Sequence, residues 1–235
     1  MSDTIFLEKC QRYIDCHLQA PRDSGGASAQ RQLPALTISR QTGAGGISVA
    51  ERLAVYLQGH APRVECPWTV FHKNLVQRVL EDHNLPVRLA QFMTEDKVSA
   101  VADAIEELFG LHPPASHLVR QTAETILHLA ELGNVILVGR GANVITATLG
   151  QVFHVRLVGS VEQRAQRVMD RHHVTREAAL AFIAKEDAGR RRYLKRYFDK
   201  DIDDPLLYHV VINTDTVTLE EATRLIGETM LRKYY

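Results

Sequence analysis

The stretch from Ala35 to Leu57 constrains this chain more than any other. Leu36 to Ser39 read as a short strand, and Gly43 to Gly46 place three glycines in four residues. Beyond them Ile47, Ala50, Leu53, Ala54 and Leu57 recur at helical spacing. Strand, glycine turn and helix in that order open a doubly wound α/β sheet. At such a turn, backbone N–H groups and the helix N-terminus can receive phosphate oxygens, and glycine serves where the backbone takes unusual dihedrals close to a ligand. The segment reads Ser39-Arg40-Gln41-Thr42-Gly43-Ala44-Gly45-Gly46-Ile47-Ser48. The usual phosphate-cradling pattern ends in Gly-Lys-Ser/Thr, where Lys reaches the β- and γ-phosphates and the hydroxyl holds magnesium. Here Gly46 stands at the Lys position, Ile47 follows it, and Ser48 brings a hydroxyl one place late. Arg40 fills the place of the first glycine, with its side chain expected to point away from the phosphates. The plain alternative is a strand-to-helix turn that uses glycine only for packing.

Further strands are expected at Val64–Cys66, ended by Pro67, at Val135–Val138, at Phe153–Val158 and at His209–Ile212. Val135-Ile136-Leu137-Val138 between Asn134 and Gly139 suits a strand buried on both faces. Helices are expected over 71–82, 86–108 and 115–132. Ser160 with Gln163, and Thr218 with Glu221, are capping-box signatures for two more. Five short strands alternating with helices give a parallel sheet with helices on both faces. Residues 4–18 space their apolar side chains as a helix, and 19–32 read as a flexible linker. The division is therefore 1–34, an N-terminal helix and linker, and 35–235, the main domain. The helix is expected to dock on that domain or on a second subunit, which would make a homo-oligomer.

Lys plus Arg and Asp plus Glu each number 28, so no global field draws in nucleic acid, and anion binding has to come from local clusters. Three cysteines without CxxC spacing argue against a disulfide framework or a cysteine zinc site and for a reducing compartment. No apolar run reaches the roughly 18 residues that span a bilayer, and the start lacks a signal-peptide pattern, so no membrane partner and a cytoplasmic location are expected. Eleven histidines, His172-His173 among them, show no HxxxH or HExxH pairing on an expected helix, and a scattered surface role suits them better than a metal site.

The loop SRQTGAGG, with VGRGANVI (138–145), HVRLVGSVEQRAQRV (154–168), EDAGRRRYLKRYF (186–198) and YHVVINTD (208–215), resembles the cytidylate-kinase-like family, a branch of the nucleoside monophosphate kinases. The resemblance covers about residues 35–230 in unbroken order. It implies a P-loop kinase-type three-layer sandwich, a five-stranded parallel sheet of order 2-3-1-4-5, and a helical lid at about 186–200. It also implies ATP as the nucleotide, Mg²⁺ carried with it and held weakly by Ser48, and a small-molecule phosphate acceptor. Val138 and Gly141 stand where true cytidylate kinases carry acids around Gly-Arg-Asp.

On that resemblance Arg40, Gly43, Ala44, Gly45, Gly46, Ile47 and Ser48 hold nucleotide phosphates, and Arg140 and Lys73 face the acceptor. Asp187 and Arg190 match the Asp-x-x-Arg of the lid. Arg190, Arg191 and Arg140 are the catalytic cations, one of them supplying the charge that the missing Lys would bring. Guanidinium forks suit a transferring phosphoryl group, and five cations in seven residues, Arg190 to Arg196, exceed an ordinary solvated face. Their mutual repulsion should leave the lid mobile until an anion binds. Lys195 and Arg196 join the phosphate set, as do Arg164 and Arg167, which share a helix face aimed at the cleft or at a neighbouring carboxylate. Asn213 lies where these kinases wrap the donor base, although Asn-Thr-Asp is also an ordinary turn. The expected function is phosphoryl transfer from ATP to a nucleoside monophosphate such as CMP. The alternatives are a catalytically weak nucleotide-binding regulator and, against the neutral charge, an RNA- or polyanion-binding module.

Overall fold

The computed structural model describes residues 8, 12–13, 15–17, 33–62, 66–72, 101, 103–106, 108–109 and 117–235. Among them β1 (Ala35–Arg40) leads into α1 (Gly46–His60), then β2 (Thr69–His72), α2 (His117–Leu132) and β3 (Val135–Val138). A short α3 (Ala142–Ile145), β4 (Val152–Val158), α4 (Val161–His172), α5 (Arg176–Phe198), a 3₁₀ turn (Pro205–Leu207), β5 (Val210–Asn213) and α6 (Leu219–Tyr234) follow. The five strands form one sheet in the order β2-β3-β1-β4-β5, as expected. Every pairing is parallel, with Leu36 beside Ile136 on one side and Phe153 on the other.

The sheet is covered on both faces, which explains why β3 reads as a continuous apolar run and why β1 is buried from Ala35 to Ser39. On one face Leu36, Ile38, Ile136 and Val155 pack against Leu53 and Leu57 of α1 and Ile226 of α6. On the other, Phe71 and Leu137 meet Ile126 of α2 and Leu194 and Phe198 of α5. Both layers put the C-terminal ends of β1 and β3 side by side, and the cleft lies there.

Three expectations are corrected. The strand described beside β3 runs from Thr69 to His72, beyond the expected Val64–Cys66, of which only Cys66 is among the described residues, and Phe71 and His72 belong to it rather than to a helix. Pro67 precedes the strand instead of ending it: Trp68 N–H, the first beyond the proline, donates to Gln58 Oε1 at 2.9 Å, and Thr69 N–H, the first of the strand, donates to Asn134 O at 3.0 Å. Against the expectation of free thiols, Cys16 and Cys66 form a disulfide with their Cα atoms 5.6 Å apart. Spacing along the chain could not show this, because the two meet through packing of the N-terminal helix. Tyr13 is fully buried, stacks edge-on against Phe71, and donates its hydroxyl to Gly133 O at 2.6 Å. That contact docks the N-terminal segment on the main domain. The box at Ser160 is half made: its hydroxyl accepts from Gln163 N–H, while Ser160 N–H goes to Asp215 at 2.7 Å. Thr218 and Glu221 form the full reciprocal box. Among the described residues, no helix is long and apolar enough to cross a membrane.

Candidate functional site

The loop after β1 ends on Gly45, the residue before α1, in the left-handed region with φ 82°, and no side chain caps the helix. The amides of the first turn, Gly46 to Ser48, have no acceptor among the described residues. Unclaimed N–H groups at the positive end of a helix macrodipole form an anion site. The loop is braced from behind. Arg164 donates to Thr42 O at 3.1 Å and Arg167 to Gly43 O at 3.4 Å, while Gly159 N–H donates to Gln41 Oε1 at 3.0 Å. Thr42 N–H and its hydroxyl both donate to Asp187 Oδ1, at 2.8 and 2.7 Å. Asp187 thus closes α5 onto the loop.

A cleft of about 330 Å³ opens between the ends of β1 and β3 and the middle of α5. Arg40, Arg140, Asn143, Glu186, Arg190 and Arg192 line it. Arg140 has φ 58° between Gly139 at 87° and Gly141 at 72°, three successive left-handed residues. A non-glycine residue pays strain there, and such strain gathers at functional sites. Its Nε and the Asn143 Nδ2 are buried donors without a partner among the described residues. Donors left so are costly, and a ligand acceptor in the cleft would satisfy them. Burial raises the Tyr193 phenol pKa, with the Arg140 charge pulling it the other way.

Three of the five cations from Arg190 to Arg196 are paired, where the sequence predicts that they repel one another. Arg190 donates to Asp187 at 2.9 Å and to Glu186 at 3.4 Å, Arg191 to Asp203 at 3.0 Å, and Lys195 lies 2.6 Å from Asp199. Burial tends to raise the Asp203 pKa, but hydrogen bonds and charge from Arg191 and Arg156 hold it below the usual value. Arg164 meets Asp187 at 2.7 Å and is buried there. Its partners and those of Arg167, which also bonds Thr214, make both arginines struts of the loop. Arg196 rests over the Tyr197 ring at 5.6 Å. Asn213 ends β5 and accepts from Asp215 N–H at 3.0 Å, an ordinary Asx turn. Lys73 lies outside the described residues. Thr42, Asn143, Glu186 and Asp203 were not singled out from the sequence. Only Asn143 carried a signal there, as the amide side chain just beyond Gly-Arg-Gly.

No group of three or more His, Cys, Asp or Glu side chains that could hold a metal occurs among the described residues. Magnesium at a triphosphate needs only one or two protein oxygens, since phosphates and water supply the rest. Ser48 in the first turn of α1 and Glu186 on the cleft wall fit that limited role.

The cytidylate kinase-like family model matches residues 35–216. The cytidylate kinase of Methanocaldococcus jannaschii is 23% identical over 159 residues, 65% of this chain and 87% of that protein. The uronate isomerase of Corynebacterium glutamicum is 30% identical over 119 residues, 51% of this chain but only 23% of the isomerase, so the chain spans about a quarter of that relative. An uncharacterized protein from Eubacterium ventriosum has a similar crystal structure, with TM-score 0.63 at 22% identity, covering 85% of this chain and 98% of that one.

Proposed function

The chain belongs to the cytidylate kinase-like family, and from that membership we propose a nucleotide-binding phosphotransferase that moves the γ-phosphoryl group of ATP to a nucleoside monophosphate such as CMP. The observation that carries this reading is the uncapped first turn of α1 beside a cleft walled by Arg40, Arg140, Arg190 and Arg192. ATP phosphates rest on the amides of Gly46 to Ser48. The acceptor's own phosphate faces Arg140 and Asn143, whose unpartnered donors it would satisfy.

An acceptor oxygen then attacks the γ-phosphorus as its bond to the β–γ bridging oxygen breaks, and ADP leaves. Charge spread over the transferring oxygens is stabilised mainly by positioned cations. Magnesium bound with ATP would neutralise phosphate charge, with Ser48 and Glu186 as its protein oxygens. Asp187 holds α5 against Thr42 and keeps Arg190 at the cleft.

The test is a thermal-shift panel of nucleotides with and without magnesium, followed by ADP release with each nucleoside monophosphate. ATP should raise Tm, and one monophosphate should stimulate ADP release. No shift with any nucleotide would sink the reading. Binding without transfer to any acceptor would favour the weak regulator, which Val138 and Gly141, standing where the acids are expected, also support.

A further inference from the structure

Position 46 carries no cation, and the space its side chain would enter is filled from elsewhere. A Cβ built on Gly46 would lie 2.8 Å from Arg40 Cγ and 3.1 Å from Arg40 Cβ, too close to be tolerated. At the far end of the same side chain, a Cβ on Gly139 would overlap Arg40 Nη1. The arginine therefore lies in a slot between two glycines, its stem across the first turn of α1 and its head at the mouth of β3. The expectation that Arg40 points away from the phosphate site is thus corrected.

The Arg40 head has no hydrogen bond or ion pair among the described residues, although it faces the cleft. Burial first, then the nearby Arg190 charge, lowers its pKa to about 10, with Glu186 opposing. The guanidinium is still charged at neutral pH and is held there without a bonded acceptor. Arg190 and Arg191, by contrast, already spend their donors on Asp187, Glu186 and Asp203.

The geometry points to Arg40 as the phosphate cation of the loop: arginine at the first-glycine position and glycine at the lysine position form an exchanged pair, and the guanidinium grips the terminal phosphates of the bound nucleoside triphosphate. This rests on the phosphotransferase reading above. Glycine at 46 is required because the arginine stem crosses it, and the planar fork can hold two phosphate oxygens where an ammonium would act as a point charge. Neither Arg190, Arg191 nor Arg140 is needed to stand in for the missing lysine.

Three variants test it: Arg40→Met, Gly46→Lys, and the double exchange Arg40→Gly/Gly46→Lys. Affinity for ATP with magnesium, affinity for CMP and ligand-free Tm are measured on each and on the wild type. Arg40→Met should lose roughly ten- to hundredfold in ATP affinity, the range for a charge-assisted bond, while CMP affinity stays unchanged. Its ligand-free Tm should hold or rise, because a half-buried, unpartnered cation is removed. Gly46→Lys alone should lower Tm through the clash with the Arg40 stem. The double exchange should regain most of the lost ATP affinity. If wild type binds ATP and Arg40→Met binds it equally well, the inference is overturned and the phosphotransferase reading stands. A loss of ATP affinity that comes with a fall in Tm and is not regained by the exchange makes Arg40 a brace, which also overturns it. If wild type binds no nucleotide, the phosphotransferase reading fails and takes the inference with it.

Discussion

Two groups of cations meet at the cleft, and they are held in opposite ways. Four of those on α4 and α5 are neutralised within the protein: Arg164 and Arg190 by Asp187, Arg191 by Asp203, Lys195 by Asp199. Those at the ends of β1 and β3, Arg40 and Arg140, have no carboxylate or other bonded partner among the described residues. The dense run on α5 is the louder feature of the sequence, yet three of its five cations are paired with carboxylates, whereas both isolated arginines keep donors to spare. Density of charge along a chain is therefore a poor guide to which charge is available to a ligand. Breaking a buried pair costs stability, and an unpaired, partly desolvated cation costs some until an anion arrives.

The sharpest way to break this contrast is at Arg140. Arg140→Ala should lower kcat about 10²- to 10³-fold, the range for removing one preorganised donor, while ligand-free Tm stays put because no internal bond is lost. A kcat within tenfold of wild type in a coupled ADP assay would remove Arg140 from the machinery. On the paired side the effect should fall on stability. Asp187→Ala strands the buried Arg164 and frees Thr42 N–H, and breaking a pair this buried costs about 3–5 kcal/mol. Calorimetry should show Tm lower by roughly 10 °C; a shift of a degree or two would mean that the loop does not depend on the lid.

Acid should separate the sheet from the cleft. His154 on β4 bonds Thr37 at 2.8 Å, and burial first, then His209 and Lys233, depresses its pKa from 6.5 to about 4. His209 is lowered as well, by burial and then by Lys233. Because the folded value lies below the unfolded one, protonation favours the unfolded chain. Stability is complete above pH 6.5 and is lost as pH falls toward 4, by on the order of 3 kcal/mol. Urea midpoints between pH 7 and 4.5 measure this, and His154→Gln should flatten the slope. The smallest effect belongs to the exposed pair. Lys195→Ala should leave Tm and ATP affinity indistinguishable from wild type, since exposed ion pairs contribute little. A clear loss of ATP affinity there would place the lid cations back among the phosphate ligands.

Much of the frame was legible because its signals are local. The glycine turn between β1 and α1, the apolar run of β3 and the Thr218–Glu221 cap each lie within a few residues, and periodicity and caps are properties of neighbours along the chain. The order of the strands followed from the resemblance and was met by the sheet. β2 was misplaced by a few residues because Pro67 can precede a strand as well as end one. The order of motifs also drew attention to Arg140 and Arg190, which the structure brings to one cleft with Arg40, an oddity of the loop already visible in the sequence.

By itself, the sequence determined a parallel sheet with a phosphate-type loop at the end of its first strand, and a chain rich in arginine near that loop. Only the tertiary structure decided how those arginines are used. Thr42 and Asp187 are 145 residues apart when they bond, Arg164 reaches Thr42 across 122, and Cys16 meets Cys66 across 50. Arg40 could point toward or away from the loop equally well on any local rule. Its direction was settled by two glycines that lie far apart in sequence and flank the stem and the head of its side chain, because a side chain's path is chosen by the volume its neighbours leave free.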